Sequence, residues 1–394
     1  MEQRIRAVSK DAAKHGCKYL MTGDDTSNTA RVLRLASSVP PLPGGMEQHV
    51  RRLTDEQRGR GWRVDLLFCS GDRTHEDDLC LSLGRWVIGI RPQSLRSMVF
   101  LLLAIPTLIH RIGKIDVVHV HGDWSMVLAG RIAKWILGAA ALVASVHGGP
   151  MDSRVRASLQ RWALGMADMV HTTGRRDADR IRKYALCPVL WQPSGVHDDY
   201  FGAGHGRVPT DLMRGGRATV VSTAVLRPMK NIGLLLDIAA LLPEVNFVVV
   251  GAGPELQRLE AKRARMGLDN VRFEGMQERG RVIAYLDGAD LFLCTSYVEG
   301  TPTSVLEAMC RGLPIVTSDC SDFRDIVDDA NGRIVGDFRA ESFREMIGSV
   351  LADRKRWAAM SQISVDRVSG LAWGLVAERV SASISDVIAK RDRS

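Results

Sequence analysis

The chain has 394 residues, 45% hydrophobic and 25% charged, which is ordinary for a globular protein and long enough for two domains with separate cores. Its net charge of +8 is all in the first half: residues 1–200 carry 28 Lys+Arg against 20 Asp+Glu, whereas residues 201–394 carry 25 of each. A basic half suits an anionic bilayer or substrate; without interleaved aromatics, zinc-ligand spacing or an RNP-like run it argues against nucleic acid.

Seven cysteines, an odd number with no C-x-x-C pair, fit a reduced, cytoplasmic setting. Residues 1–29 are polar, lack the apolar core of a secretory signal, and read as a tail. The first domain is expected over residues 30–200. Its first predicted strand is Arg31–Ala36, followed by a Pro-Gly turn and a helix over Glu47–Arg58. Gly44 and Gly45 in that turn let the backbone approach a ligand, and the helix behind them offers free N–H groups.

A second strand is expected over Arg63–Cys69 and a third over Val87–Ile90. The helix Leu95–Arg111 contains the apolar run Met98–Ile105, too short to span a bilayer. A half-buried helix is the ordinary reading; a face resting on a membrane, helped by Arg91, Arg96 and Arg111, is the sharper one. Ile115–His121 reads as a buried strand with His119 and His121 on one face. H-x-H can ligate a metal, but no third ligand stands nearby in the chain, so a strand end pointing into a cleft is preferred. Ala141–Val146 is another strand, running into His147. Asp177 and Asp179 sit among Arg175, Arg176, Arg180 and Arg182, which fits a solvated helical ion-pair face better than a metal site.

Residues 201–217, rich in Gly, Pro and Arg, read as an interdomain linker, with a second domain over 218–370 and a last helix within 371–394. Ala218–Ala224 is a predicted strand, and a helix starts at Lys230. Val245–Pro254 pairs a strand with G-x-G-P, but Leu256 stands where a dinucleotide fingerprint needs its third glycine. Asp290–Thr295 and Leu313–Thr317 are short strands about 17 residues apart, the room a crossover helix needs. Thr301 is the expected N-cap of that helix, Pro302 its first residue and Gly312 its stop. Glu299 and Glu307 bracket the helix start. Carboxylates there can accept from sugar hydroxyls beside a phosphate held by helix N–H groups, or can merely favour the helix dipole. Residues 341–365 are expected to be helical, as is Ala372–Lys390.

Glu299-x7-Glu307, with Gly300, Pro302, Leu306-Glu307-Ala308 and Gly312-Leu313-Pro314, resembles the E-x7-E signature of retaining glycosyltransferases of family 4, over about Val32 to Val380. The resemblance implies an α/β fold of the GT-B type, two facing Rossmann-like domains with a deep cleft and a last helix packing across both. It implies transfer of a sugar from a UDP- or GDP-sugar to a glycan or lipid-linked acceptor with retention, without a metal, in cell-surface polysaccharide synthesis; cysteine usage and the basic first half add the expectation of a cytoplasmic protein peripheral to the membrane.

By the same resemblance Glu307 holds the ribose, and Lys230 with the helix start Gly300–Thr303 (Gly300, Thr301, Pro302, Thr303) holds the diphosphate. Glu299 and His147 meet the donor sugar, and Gly44 and Gly45 match the family's glycine loop. The family's arginine is replaced by Val225, leaving Arg227 as the substitute donor clamp. A sugar-nucleotide epimerase, or a non-catalytic sugar-nucleotide-binding protein given Val225, are the rival readings; a nicotinamide oxidoreductase is disfavoured by the broken glycine fingerprint.

Overall fold

The computed structural model describes residues 30–41, 45–81, 99–100, 103–106, 109, 114–147, 154–202, 216–299, 302–320 and 323–391. Gly44, Gly300, Thr301, the tail 1–29, the expected strand Val87–Ile90 and nearly all of the linker lie outside these residues.

Runs of Val, Leu and Ala, buried on both faces, make parallel strands that need helical returns. In the first half these are β1 (Arg31–Leu35), β2 (Arg63–Phe68), β3 (Asp78–Cys80), β4 (Val117–His121), β5 (Ala141–Val146), β6 (Met169–Thr172) and β7 (Val189–Trp191). They form one sheet in the order β3-β2-β1-β4-β5-β6-β7, with parallel pairing between all of these neighbours. Helices α1 (Gly45–Gly59), α2 (Trp124–Leu137), α3 (Arg154–Leu164) and α4 (Arg175–Arg182) accompany it. The Asp123 carboxylate caps α2 by accepting from Ser125 N–H, and Gly138 ends it at φ 63°. On α4, Asp177 pairs with Arg180 and Asp179 with Arg182, the ion-pair face expected from the sequence.

The second half repeats the plan. Strands β8 (Thr219–Thr223), β9 (Asn246–Val250), β10 (Val271–Gly275), β11 (Leu291–Cys294), β12 (Ile315–Ser318) and β13 (Gly332–Val335) form a parallel sheet ordered β10-β9-β8-β11-β12-β13. Its helices are α5 (Ile232–Ala240), α6 (Leu256–Arg265), α7 (Arg279–Asp287), α8 (Thr303–Cys310), α9 (Ala340–Leu351) and α10 (Arg354–Val368). The last helix, α11 (Trp373–Arg391), returns to the first domain. In each sheet the strand order reverses direction once, between β1 and β4 and between β8 and β11. At such switch points the loops diverge and leave a crevice beyond the strand ends.

Several expectations are corrected. The strand β3 carried no sequence signal, being three residues long; buried Asp78 anchors it to Arg51 at 2.6 Å and Arg58 at 2.9 Å. The stretch 341–365 is two helices, because the Asp353 carboxylate accepts from Lys355 and Arg356 N–H and starts α10 afresh. Pro302 is the N-cap position of α8 rather than its first residue; its ψ of 73° is not helical, and its carbonyl accepts from Val305 and Leu306. Lys230 ends a 3-10 turn, Pro228–Lys230, and Asn231 at φ 49° separates it from α5.

The boundary also shifts. Val196 and Tyr200, read as first-domain residues, are buried in the core of the second with Val221, Phe292 and Leu306. The side chains of α11 that are buried, from Trp373 to Val387, join the first-domain core instead of packing across both. The two chain passages are tied to one another where Val196 N–H donates to Leu371 O at 2.7 Å and Trp373 N–H donates to Val196 O at 3.2 Å.

Phe100 and Ala104 are buried while Leu103 and Ile109 are exposed, so the described part of the apolar run is two-sided. No helix among the described residues is long and apolar enough to cross a membrane.

Candidate active site

The switch point of the second sheet gathers the residues that follow β8 and β11. The Thr295 hydroxyl donates to Lys230 O and Asn231 O, each at 3.1 Å, and Tyr297 N–H donates to Met229 O at 2.8 Å. These bonds hold the turn carrying Lys230 against the loop carrying Glu299. The Lys230 ammonium donates to both Glu299 oxygens, at 2.5 and 2.7 Å, and the Ser296 hydroxyl donates to Glu299 at 2.6 Å. With only 21% and 10% of the two side chains exposed, this is a sheltered pair, and Ser304 from the first turn of α8 lines the same small hollow. The start of α8 therefore lies beside the pair, and a helix N-terminus is a setting that favours an anion.

Glu307 has different company. It lies on the second turn of α8, half-buried, and receives a hydrogen bond from the Tyr200 hydroxyl. Burial pushes its carboxyl up to about 7, and its negative charge helps to push the Tyr200 phenol above its ordinary range. Thus Glu299 and Glu307, eight positions apart in one motif, hold separate partners. Tyr200 was not singled out in the sequence; it is 107 positions before Glu307 in the chain and no local pattern marks it.

Arg227 is exposed and lines a different cleft, of ≈ 420 Å³, with Arg258, Lys262, Tyr297 and Phe338. Lys230 and Glu299 do not line that cleft. The glycines of G-x-G-P serve packing. A Cβ at Gly251 would sit 1.9 Å from Ala224 O, and one at Gly253 would sit 2.4 Å from Leu226 O. Both glycines let the β9–α6 loop pair with the segment that leads from β8 to Lys230, through bonds such as Leu226 N–H to Ala252 O at 3.0 Å.

The switch point of the first sheet gathers histidines. His121 is the last residue of β4, His147 follows β5, and His49 lies on α1, behind Gly45, which is exposed at the helix start. His121 Nδ1 is 2.9 Å from His147 Nε2, and the His49 ring is edge-on to His147 with centroids 4.7 Å apart. His49 Nδ1 is 2.8 Å from Ser194 Oγ, and its ring meets Trp373 of α11 at 5.2 Å. Behind them, buried Arg34 donates to His119 Nδ1 at 3.3 Å. A guanidinium has no acceptor, so His119 Nδ1 accepts and its Nε2–H faces Ser145 Oγ at 2.7 Å. His119 and His121 do share a face, as the alternation requires, with ring centroids 4.4 Å apart.

Burial holds all of these rings neutral: His147 is lowered to about 4 and His171 to about 3, while His49, His119 and His121 fall well below the usual histidine range. Of the H-x-H pair only His121 joins a three-ring group; the fold supplies the other two imidazoles, His49 and His147. The ligating nitrogens of His49, His121 and His147 lie within 4.8 Å of one another.

Comparison with known proteins matches the two halves of the chain to separate family models. Residues 43–200 match the family model described as Glycosyltransferase Family 4, and residues 211–365 match that of Glycosyl transferases group 1. The phosphatidyl-myo-inositol mannosyltransferase of Mycobacterium leprae is 24% identical over 369 residues, covering 86% of this chain and 92% of the relative. A GDP-mannose-dependent phosphatidylinositol monomannoside mannosyltransferase of Mycolicibacterium smegmatis is 27% identical, over 60% of this chain and 66% of the relative. Among solved structures, sucrose-phosphate synthase from Thermosynechococcus elongatus superposes with a TM-score of 0.78 at 18% identity, covering 92% of this chain and 100% of that one. HepE from Anabaena, in complex with UDP and glucose, gives 0.71 at 16%, covering 90% and 99%. Two parallel-sheet Rossmann-like domains and matches to both families, one for each half, indicate a glycosyltransferase of the family 4 type with the GT-B fold.

Proposed function

We propose that the chain transfers a sugar from a UDP- or GDP-sugar to a glycan or lipid-linked acceptor with retention of anomeric configuration, without a metal, in the synthesis of a cell-surface glycan. The observation that carries this reading is the Lys230–Glu299 pair at the switch point beside the start of α8. Two of the ammonium's three N–H donors go to Glu299, and the third suits a phosphate oxygen. In this reading Lys230 and the α8 start, with Gly300, Thr301, Pro302 and Thr303, stabilise the charge that grows on the departing diphosphate. Glu307 accepts from the ribose hydroxyls. Glu299, oriented by Lys230 and Ser296, accepts from the donor sugar, and His147 reaches the sugar from the opposite wall. Gly44 and Gly45 admit the diphosphate or acceptor close to the backbone.

Arg227 serves the donor only by reaching over from its own cleft, so Lys230 carries most of the phosphate contact. The acceptor hydroxyl is held on the face the leaving group vacates, and positioning supplies much of the rate. GDP-mannose and a phosphatidylinositol-type acceptor are the first pair to assay, because the mycobacterial relatives are named for them. The protein acts at the cytoplasmic face of the membrane, held by its basic first half.

The test is nucleotide release with and without acceptor, with NMR of the product's anomeric proton. Acceptor-dependent release with the donor's anomeric configuration is expected. An altered sugar nucleotide formed without acceptor identifies an epimerase, and an inverted product overturns retention.

A further inference from the structure

The histidine cluster holds more ligand capacity than a sugar contact needs. His121 Nδ1 and His147 Nε2 are 2.9 Å apart, so a single proton bridges two neutral rings. Two nitrogens on a tetrahedral zinc, each bonded at about 2.0–2.1 Å, stand about 3.3 Å apart, so a cation can replace that proton with small ring movements. His49 supplies the third ring, and Ser194 Oγ at its Nδ1 is the kind of outer partner that orients a metal-binding imidazole.

We propose that His49, His121 and His147 form a binding site for a borderline divalent cation, Zn²⁺ first, and that its occupation withdraws His147 from the substrate and inhibits transfer. The donor set is three imidazoles with no carboxylate among them, which selects nitrogen-seeking metals over Mg²⁺ or Ca²⁺. Three protein ligands leave one coordination position for water or a substrate hydroxyl.

The inhibition limb rests on the role assigned to His147 above; the binding limb does not. The experiment uses the full chain stripped with chelator, titrated with Zn²⁺ by calorimetry and with Co²⁺ by visible absorption, with stoichiometry from native mass spectrometry. One ion per chain and tetrahedral Co²⁺ bands are expected, with no Mg²⁺ heat. His49→Gln and His121→Gln should each weaken Zn²⁺ on the order of 100-fold, and Ser194→Ala about 10-fold, with unchanged circular dichroism. If His121→Gln does not fold, the other two variants still decide. Absence of Co²⁺ bands, or Zn²⁺ affinity indifferent to the variants that fold, overturns the site. Zn²⁺ bound at full transfer activity overturns the inhibition alone, and a chain without transferase activity leaves the binding measurements to judge the site.

Discussion

The two switch points solve the same geometric problem with opposite chemistry. Beyond β8 and β11 stands charge: the Lys230–Glu299 pair, and Glu307 poised near neutrality. Beyond β1 and β4 stand rings kept neutral by burial, with the buried Arg34 guanidinium behind them. The difference teaches which wall can bear ionic substrate. In the proposed reading an anion arriving at the second sheet meets the Lys230 ammonium and the start of α8, whereas the first wall offers neutral rings to an uncharged hydroxyl.

The largest expected effect separates Glu299 from Lys230. Glu299→Gln should lower kcat on the order of 10²–10³-fold while leaving UDP or GDP affinity nearly unchanged, if Glu299 contacts the reacting sugar as proposed. Lys230→Ala should lower both, since it also removes a ground-state phosphate contact. Steady-state kinetics beside calorimetry decides, and near-normal turnover in Glu299→Gln would return that residue to a helix-end role worth only about 0.3–1 kcal/mol.

The next test sets the walls against each other by pH. Glu307 has its folded-state value raised to about 7 from the ordinary 4.5, so its stabilising proton is fully bound below 4.5 and lost as pH rises through 7. Ribose binding needs the carboxylate, so nucleotide affinity should climb about tenfold per unit below pH 7 and level off above it. Glu307→Gln should flatten that slope and weaken binding; an unchanged affinity for UDP and GDP removes the ribose role.

The histidine wall runs the other way. His147 is lowered to about 4 from 6.5, so its contribution is present above 6.5 and lost as pH falls through 4. Denaturant midpoints should therefore fall on acidification through that window, and His147→Gln should reduce the fall.

The smallest effect concerns the basic first half. Weak attachment to anionic vesicles, released by salt, is expected from exposed charge. Equal sedimentation with neutral and anionic vesicles at low salt would count against a membrane location.

By itself the sequence determined what is local. Strand runs buried on both faces, the crossover from Asp290 to Thr317, the Gly312 stop and the ion-pair face of α4 all follow from spacing and backbone preference over a few residues. The resemblance carried Lys230 and Glu299 as separate residues, and the fold joined them across 69 positions. What only the tertiary structure decided is everything built from distant strand ends. Tyr200 crosses to the second core to reach Glu307, and α11 comes back to place Trp373 against His49. The three-histidine group draws on α1, β4 and the end of β5. No periodicity records such neighbours, because a parallel sheet sets its strand order through crossovers rather than through adjacency in the chain. The pKa displacements belong to the same class, since desolvation exists only once the surrounding chain has closed over the ring or carboxyl.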